Sequence, residues 1–251
     1  MIPENSFLRN IPFSLETKTI MELEAIAFSI DAIYLKHYQV SKWAENCDEV
    51  YFINAPYQER LELFLNLWSI VDQAYNLRRL FKTIKNHVVI ERFLDVTGSV
   101  PNMRNGMDHL PENISNKAAK KGSVIPVYGV FSFGKFELED EGVNVDDCMI
   151  YTMTAGSLTH SSHKWPVANL SSGKILDLPV GMFEFTAFDS TLDISALVRH
   201  LREIVHLFDT SVRAHVESQI REQSEQKGLD SESLMSKGPG SIATVIKGKF
   251  I

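Results

Sequence analysis

The chain has 251 residues, a formal net charge of −7, 44% hydrophobic and 23% charged residues. That is globular composition, so disorder, collagen-like repeats and a coiled-coil rod are excluded, and a chain this long buries a core without disulfide staples. Cys47 and Cys148 are too few for a secreted disulfide framework. With no leader-like N-terminus and no apolar run near the ~20 residues that span a bilayer, a cytoplasmic protein with no membrane partner is expected.

The first periodic segment runs from about Leu15 to Ala44. Ile20, Leu23, Ile26, Ile30, Ile33 and Tyr38 recur at steps that put one stripe on a core, so a long helix is predicted. A loop is expected over 46–56, with a short apolar piece at Val50–Ile53. A second helix is predicted from Tyr57 to Lys85. It carries two stripes: Leu61, Phe64, Trp68, Val71 and Tyr75 on one side, and Leu63, Leu67, Ile70, Ala74, Leu77 and Phe81 on the other. A helix apolar on two adjoining faces packs against more than one neighbour. Val88–Val96 reads as a third helix that stops at Thr97-Gly98-Ser99. Pro101 suits a helix start, giving about two turns to His109 before Leu110-Pro111, with Gly106 expected to weaken their regularity.

Beyond Gly122 the period changes. Val124–Phe136, Asp147–Met153, Lys174–Leu178 and Met182–Phe188 are rich in β-branched and aromatic residues and read as strands of a small antiparallel sheet. The helical period returns from Thr191 to about Gln226, with Asp189, Ser190 or Thr191 as the candidate cap. The expected fold is α+β: an antiparallel or orthogonal bundle of four to five helices in one domain over 1–226, a sheet inserted at about 122–190, and a flexible tail over 227–251.

Charge is unevenly spread. Residues 122–190 hold nine acidic against three basic side chains, whereas Arg78, Arg79, Lys82, Lys85 and Arg92 face only Glu91 over fifteen residues. The basic run is either a solvated helix face or a phosphate-facing patch. The segment Arg104-Asn105-Gly106-Met107-Asp108-His109 carries the most specific chemistry. Arginine keeps its proton and offers paired donors to phosphate oxygens. Histidine titrates near neutrality and exchanges protons with a hydroxyl or a leaving oxygen. Together they suit phosphodiester cleavage in RNA. Asp72 reads first as a polar edge of the bundle, and is otherwise placed to pair with Arg79 or to reach the Arg104 region from a neighbouring helix. His160 and His163 have metal-compatible spacing but lack a third ligand, so a solvated loop and no metal are expected. No serine-hydrolase elbow, phosphate loop or dinucleotide fingerprint occurs, and no cofactor is expected.

The Arg-Asn-x-x-x-His motif after a set of amphipathic helices resembles the HEPN superfamily (higher eukaryotes and prokaryotes nucleotide-binding domains), over roughly 15–120 and 191–226. The resemblance implies a helical bundle, often a homodimer, and a metal-independent endoribonuclease of a toxin–antitoxin or phage-defence system, with an antitoxin as protein partner. Arg104 and His109 would then be the catalytic pair, able to meet across a dimer interface. Asn105 would orient the backbone or a phosphate oxygen, with Arg78, Arg79 and Lys82 guiding the RNA. The other reading of the same residues is a catalytically inactive helical interaction module. In it Arg104 and His109 are structural and the acidic β insertion binds a protein partner.

Overall fold

A computed structural model describes residues 1–82, 87–118, 128–139, 142–155, 180–228 and 230–236. Lys85, the Lys174–Leu178 strand, His160, His163 and the last fifteen residues lie outside these. The fold is α+β, with helices on either side of an antiparallel four-stranded sheet in the chain. No helix among the described residues is long and apolar enough to cross a membrane.

The chain divides into two compact units, one comprising Phe28–Ile204 with Met1, the other Ile2–Ala27 and Val205–Ile251. The elements begin with a short 3₁₀ turn, Phe7–Arg9, and α1 at Thr17–Glu45. The expected 46–56 loop instead contains a helix, α2 at Glu49–Asn54. Its start is capped by the Asp48 carboxylate, which accepts from the Tyr51 N–H at 2.7 Å. Phe52 from this helix packs edge-on to Tyr151 at 5.1 Å between centroids, so the short apolar piece is an anchored turn rather than free loop.

Helix α3 spans Tyr57–Phe81, α4 Val88–Val96 and α5 Val100–Asp108. The second predicted stripe of α3 is completely submerged: Leu67, Ile70, Ala74, Leu77 and Phe81 are all 0% exposed. The first is divided, because Phe64 and Val71 are buried while Leu61 is 45% exposed. Leu110-Pro111, read from the sequence as a stop, instead opens α6 at Leu110–Ala118. Proline tolerates the first helical turn because its missing N–H has no partner to lose there.

The sheet has strand order β2-β1-β3-β4, with β1 at Val130–Glu139, β2 at Gly142–Thr154, β3 at Val180–Ala187 and β4 at Ser190–Asp193. Central strand β1 is buried on both faces, since Phe131, Ser132 and Phe133 are all nearly inaccessible. Phe131 stacks on Phe183 at 5.9 Å and Phe133 on Tyr151 at 5.0 Å. Lys135 reaches from β1 to the end of α1, where its ammonium donates to the Cys47 carbonyl at 2.8 Å and the Glu45 carbonyl at 3.3 Å. The Glu45 carbonyl is one that the helix terminus leaves without an intrahelical donor, and Cys47 lies just past it. The inserted strands therefore supply part of the main core and are not an appended surface.

The closing helix starts later than predicted, because Ser190–Asp193 pair with β3 as a strand. Asp193 caps it, accepting from the Ala196 N–H at 2.7 Å, in place of Asp189, Ser190 or Thr191. It then runs as α7, Ile194–Leu207, a π-helical turn over Phe208–Val212, and α8, Arg213–Lys227. The wider turn presents Asp209 to the N-terminal segment of its own unit. There the carboxylate accepts from the Ser6 hydroxyl and the Phe7 N–H, each at 2.6 Å. A short α9, Ser231–Met235, follows, and the Ser14 hydroxyl donates to the Leu234 carbonyl at 2.6 Å.

Candidate functional site

Helix α5 carries the Arg104–His109 motif and stays helical through Gly106. The reason lies in the β3–β4 turn. Phe188 and Asp189 both adopt left-handed backbone, with φ of +50° and +61°, as a two-residue hairpin of primed type requires. The turn thereby carries the Phe188 ring onto α5. A Cβ at position 106 would lie 2.9 Å from the Phe188 Cβ and closer still to its ring. Glycine is thus the residue that lets the turn dock. Gly106→Ala is expected to lower stability by about 2 kcal/mol through overpacking, as measured by urea denaturation. The penalty should shrink when Phe188 is also replaced by alanine, and strict additivity of the two changes would refute the contact.

On the exposed side of the same helix, Arg104 is tied to two carboxylates. Its Nε donates to Asp72 Oδ1 of α3 at 2.9 Å, and Nη1 bonds Asp108 one turn along. Asp72 is therefore more than the polar bundle edge that is the first expectation: it reaches Arg104 across the helix pair. Burial raises the proton affinity of the Asp72 carboxyl above the ordinary aspartate value, the Arg104 guanidinium opposes this, and Asp108 adds to it. The Arg104 side chain is still 34% exposed.

His109 is exposed and forms the joint between two helices. Its N–H donates to the Asn105 carbonyl at 3.1 Å and its carbonyl accepts from the Asn113 N–H at 3.0 Å. Helix α5 ends there, with His109 at φ −107° and ψ 38°. No hydrogen bond among the described residues joins Arg104 to His109. Asn105 is exposed, and the Asn113 amide donates to the Gly106 carbonyl at 2.9 Å, tying α6 to the motif.

The predicted basic patch separates into two roles. Arg78 bonds the Leu94 carbonyl and the Thr97 hydroxyl, the latter at 3.0 Å, so its guanidinium holds the end of α4. Arg79 is exposed and lies over the Tyr75 ring at 6.0 Å, a cation–π arrangement. Lys82 is exposed just past the end of α3.

A feature that motif reading missed adjoins the motif. An apolar cleft of about 640 Å³ is walled by α3, by Met107 of α5, by Tyr128 just before β1 and by Thr154 at the end of β2. Trp68 lines it, with its indole N–H donating to the Tyr128 carbonyl at 3.0 Å and its ring edge-on to Phe185 at 5.2 Å. Gly129, at φ +105°, lets the backbone beside Tyr128 lie against the Phe185 ring, where a Cβ would fall 2.6 Å from a ring carbon. The available signal was Trp68 lying four residues before Asp72 on α3, one turn away on the same face. Among the described residues no group of three or more His, Cys, Asp or Glu is arranged to hold a metal ion. No protein-family model, curated protein or solved structure matches the chain, so the site is read from its own residues.

Proposed function

We propose that the chain is a HEPN-like, metal-independent endoribonuclease, with Arg104 on the phosphate and His109 moving a proton. The observation that carries this reading is the pinned Arg104. A guanidinium held at Nε by Asp72, a third of its side chain open to solvent, is oriented for an anion before one arrives. In the reaction the ribose 2′-oxygen bonds to phosphorus and the bond from phosphorus to the 5′-oxygen breaks. His109 exchanges a proton with one of those oxygens, leaving a 2′,3′-cyclic phosphate and a 5′-hydroxyl. Arg104 balances charge on the non-bridging oxygens. Asn105, exposed beside it, orients the strand, and Arg79 and Lys82 guide the polyanion, with Arg78 contributing field rather than contact. Homodimer formation, a cytoplasmic setting and a role in toxin–antitoxin or phage-defence systems with an antitoxin partner belong to the same proposal.

One observation favours the second reading, a catalytically inactive interaction module. Asp72 and Asp108 together outweigh the charge of Arg104. That reading locates partner binding on the β insertion, which can be probed by surface substitution but not by deletion, because β1 is core. Labelled single-stranded RNA incubated in EDTA with the wild-type chain and with Arg104→Ala distinguishes the two. Cleavage by the wild type alone, with cyclic phosphate ends, supports the nuclease. Equal cleavage by both, or none by either, removes it.

A further inference from the structure

We infer that the cleft beside α5 is a base-stacking subsite for the nucleotide next to the scissile phosphate, an inference that rests on the RNA-cleaving reading of Arg104. Three features point to a flat aromatic guest on a phosphate chain. The first is the lining: Trp68 and Tyr128 with Leu61 and Tyr57, the last 74% exposed, put aromatic and aliphatic side chains on the wall of one solvent-open cleft. The second is rigidity. Trp68 is fixed by its N–H bond to the Tyr128 carbonyl and by the Phe185 ring, so its plane is set without a ligand. A stacking platform that loses no rotamer freedom on binding keeps more of its interaction energy.

The third feature is continuity. Met107 belongs to both the cleft and the motif helix, three residues after Arg104. On α3, Trp68 precedes Asp72 by one turn, a rise of ~6 Å, about the reach of one nucleotide. Beyond Asp72 the same face continues through Tyr75 and the Arg79 guanidinium above it. An aromatic platform, the carboxylate that pins Arg104 of α5 and a second aromatic–cation pair thus follow one another along α3. Arg60 at the cleft rim supplies a further cation. Alternating rings and cations is the pattern that holds single strands with little sequence preference. An apolar peptide would use the cleft but would gain nothing from the neighbouring Arg104.

The test uses the full chain with His109→Ala, so that RNA is bound and not cut, and with Trp43→Phe and Trp165→Phe, so that Trp68 is the sole indole emitter. The probes are an eight-nucleotide uridine RNA and an abasic ribose–phosphate chain of equal length, with binding followed by anisotropy. The RNA is expected to quench Trp68 emission and the abasic chain is not. Tyr128→Ala is expected to weaken RNA binding about tenfold and Tyr128→Phe to restore it. RNA that binds without changing Trp68 emission, or that binds Tyr128→Ala as tightly, overturns the subsite and leaves the cleavage reading standing. RNA that is neither bound here nor cut by the wild type overturns both. Quenching by an apolar peptide in place of RNA overturns the subsite and assigns the cleft to a protein partner.

Discussion

Replacing His109 by alanine is expected to slow RNA cleavage in EDTA by ~10²–10⁴-fold, the range lost when a positioned proton-transfer group is removed. The fold should not notice. His109 does its structural work through the backbone, closing α5 on Asn105 and opening α6 toward Asn113, and alanine keeps both bonds. Its imidazole makes no hydrogen bond among the described residues. Arg104→Ala is a less clean probe, because it leaves Asp72 and Asp108 facing each other without the cation between them. Lost rate in that variant mixes lost chemistry with a repelling carboxylate pair. Initial rates and thermal melts of His109→Ala therefore decide the matter. An unchanged melt with a collapsed rate supports proton transfer, and matching rates end it.

Acid should weaken the protein through a histidine far from this site in the sequence. His37 of α1 sits edge-on to Phe183 at 5.4 Å, with Arg202 of α7 nearby. Burial, helped by the Arg202 charge, pulls its imidazole down from the ordinary 6.5 to about 4. The folded state thus keeps His37 neutral where the unfolded chain would protonate it. Stability is unaffected above pH ~6.5, falls as pH drops toward 4, and levels off below, because protons then bind both states alike. The gap corresponds to about 3 kcal/mol. Urea denaturation between pH 7 and 4 should show His37→Leu losing that much less than the wild type, the carboxylates common to both cancelling in the comparison. Parallel curves would show that His37 meets the proton equally in both states.

The parts of the fold legible beforehand were those set by local pattern. The α1 stripe from Leu23 to Ile33, the buried α3 stripe and the Val88–Val96 helix follow from periodicity, although Tyr38, assigned to the same α1 stripe, is 58% exposed. The aromatic-rich run around Phe131 and Phe133 marks a strand. What escaped was decided by partners distant in the chain. Val50–Ile53 is helical because Asp48 caps it and Phe52 finds the β-sheet aromatics. Gly106 looked like a helix breaker and is instead clearance for Phe188, eighty-two residues later. At the candidate site the residue types were readable, and so was Asp72 as a possible neighbour of Arg104. The cleft was not, because α3 alone cannot say which of its apolar positions the β1 and β2 ends leave uncovered.

The doubly bonded arginine also changes what arrival of a ligand means. Its guanidinium is not an empty socket: on the nuclease reading, an incoming phosphate competes there with carboxylates the protein already supplies. Association then becomes an exchange of one anion for another, with less net counterion displacement than a bare cationic cradle would give. The dependence of affinity on ionic strength should be correspondingly shallow.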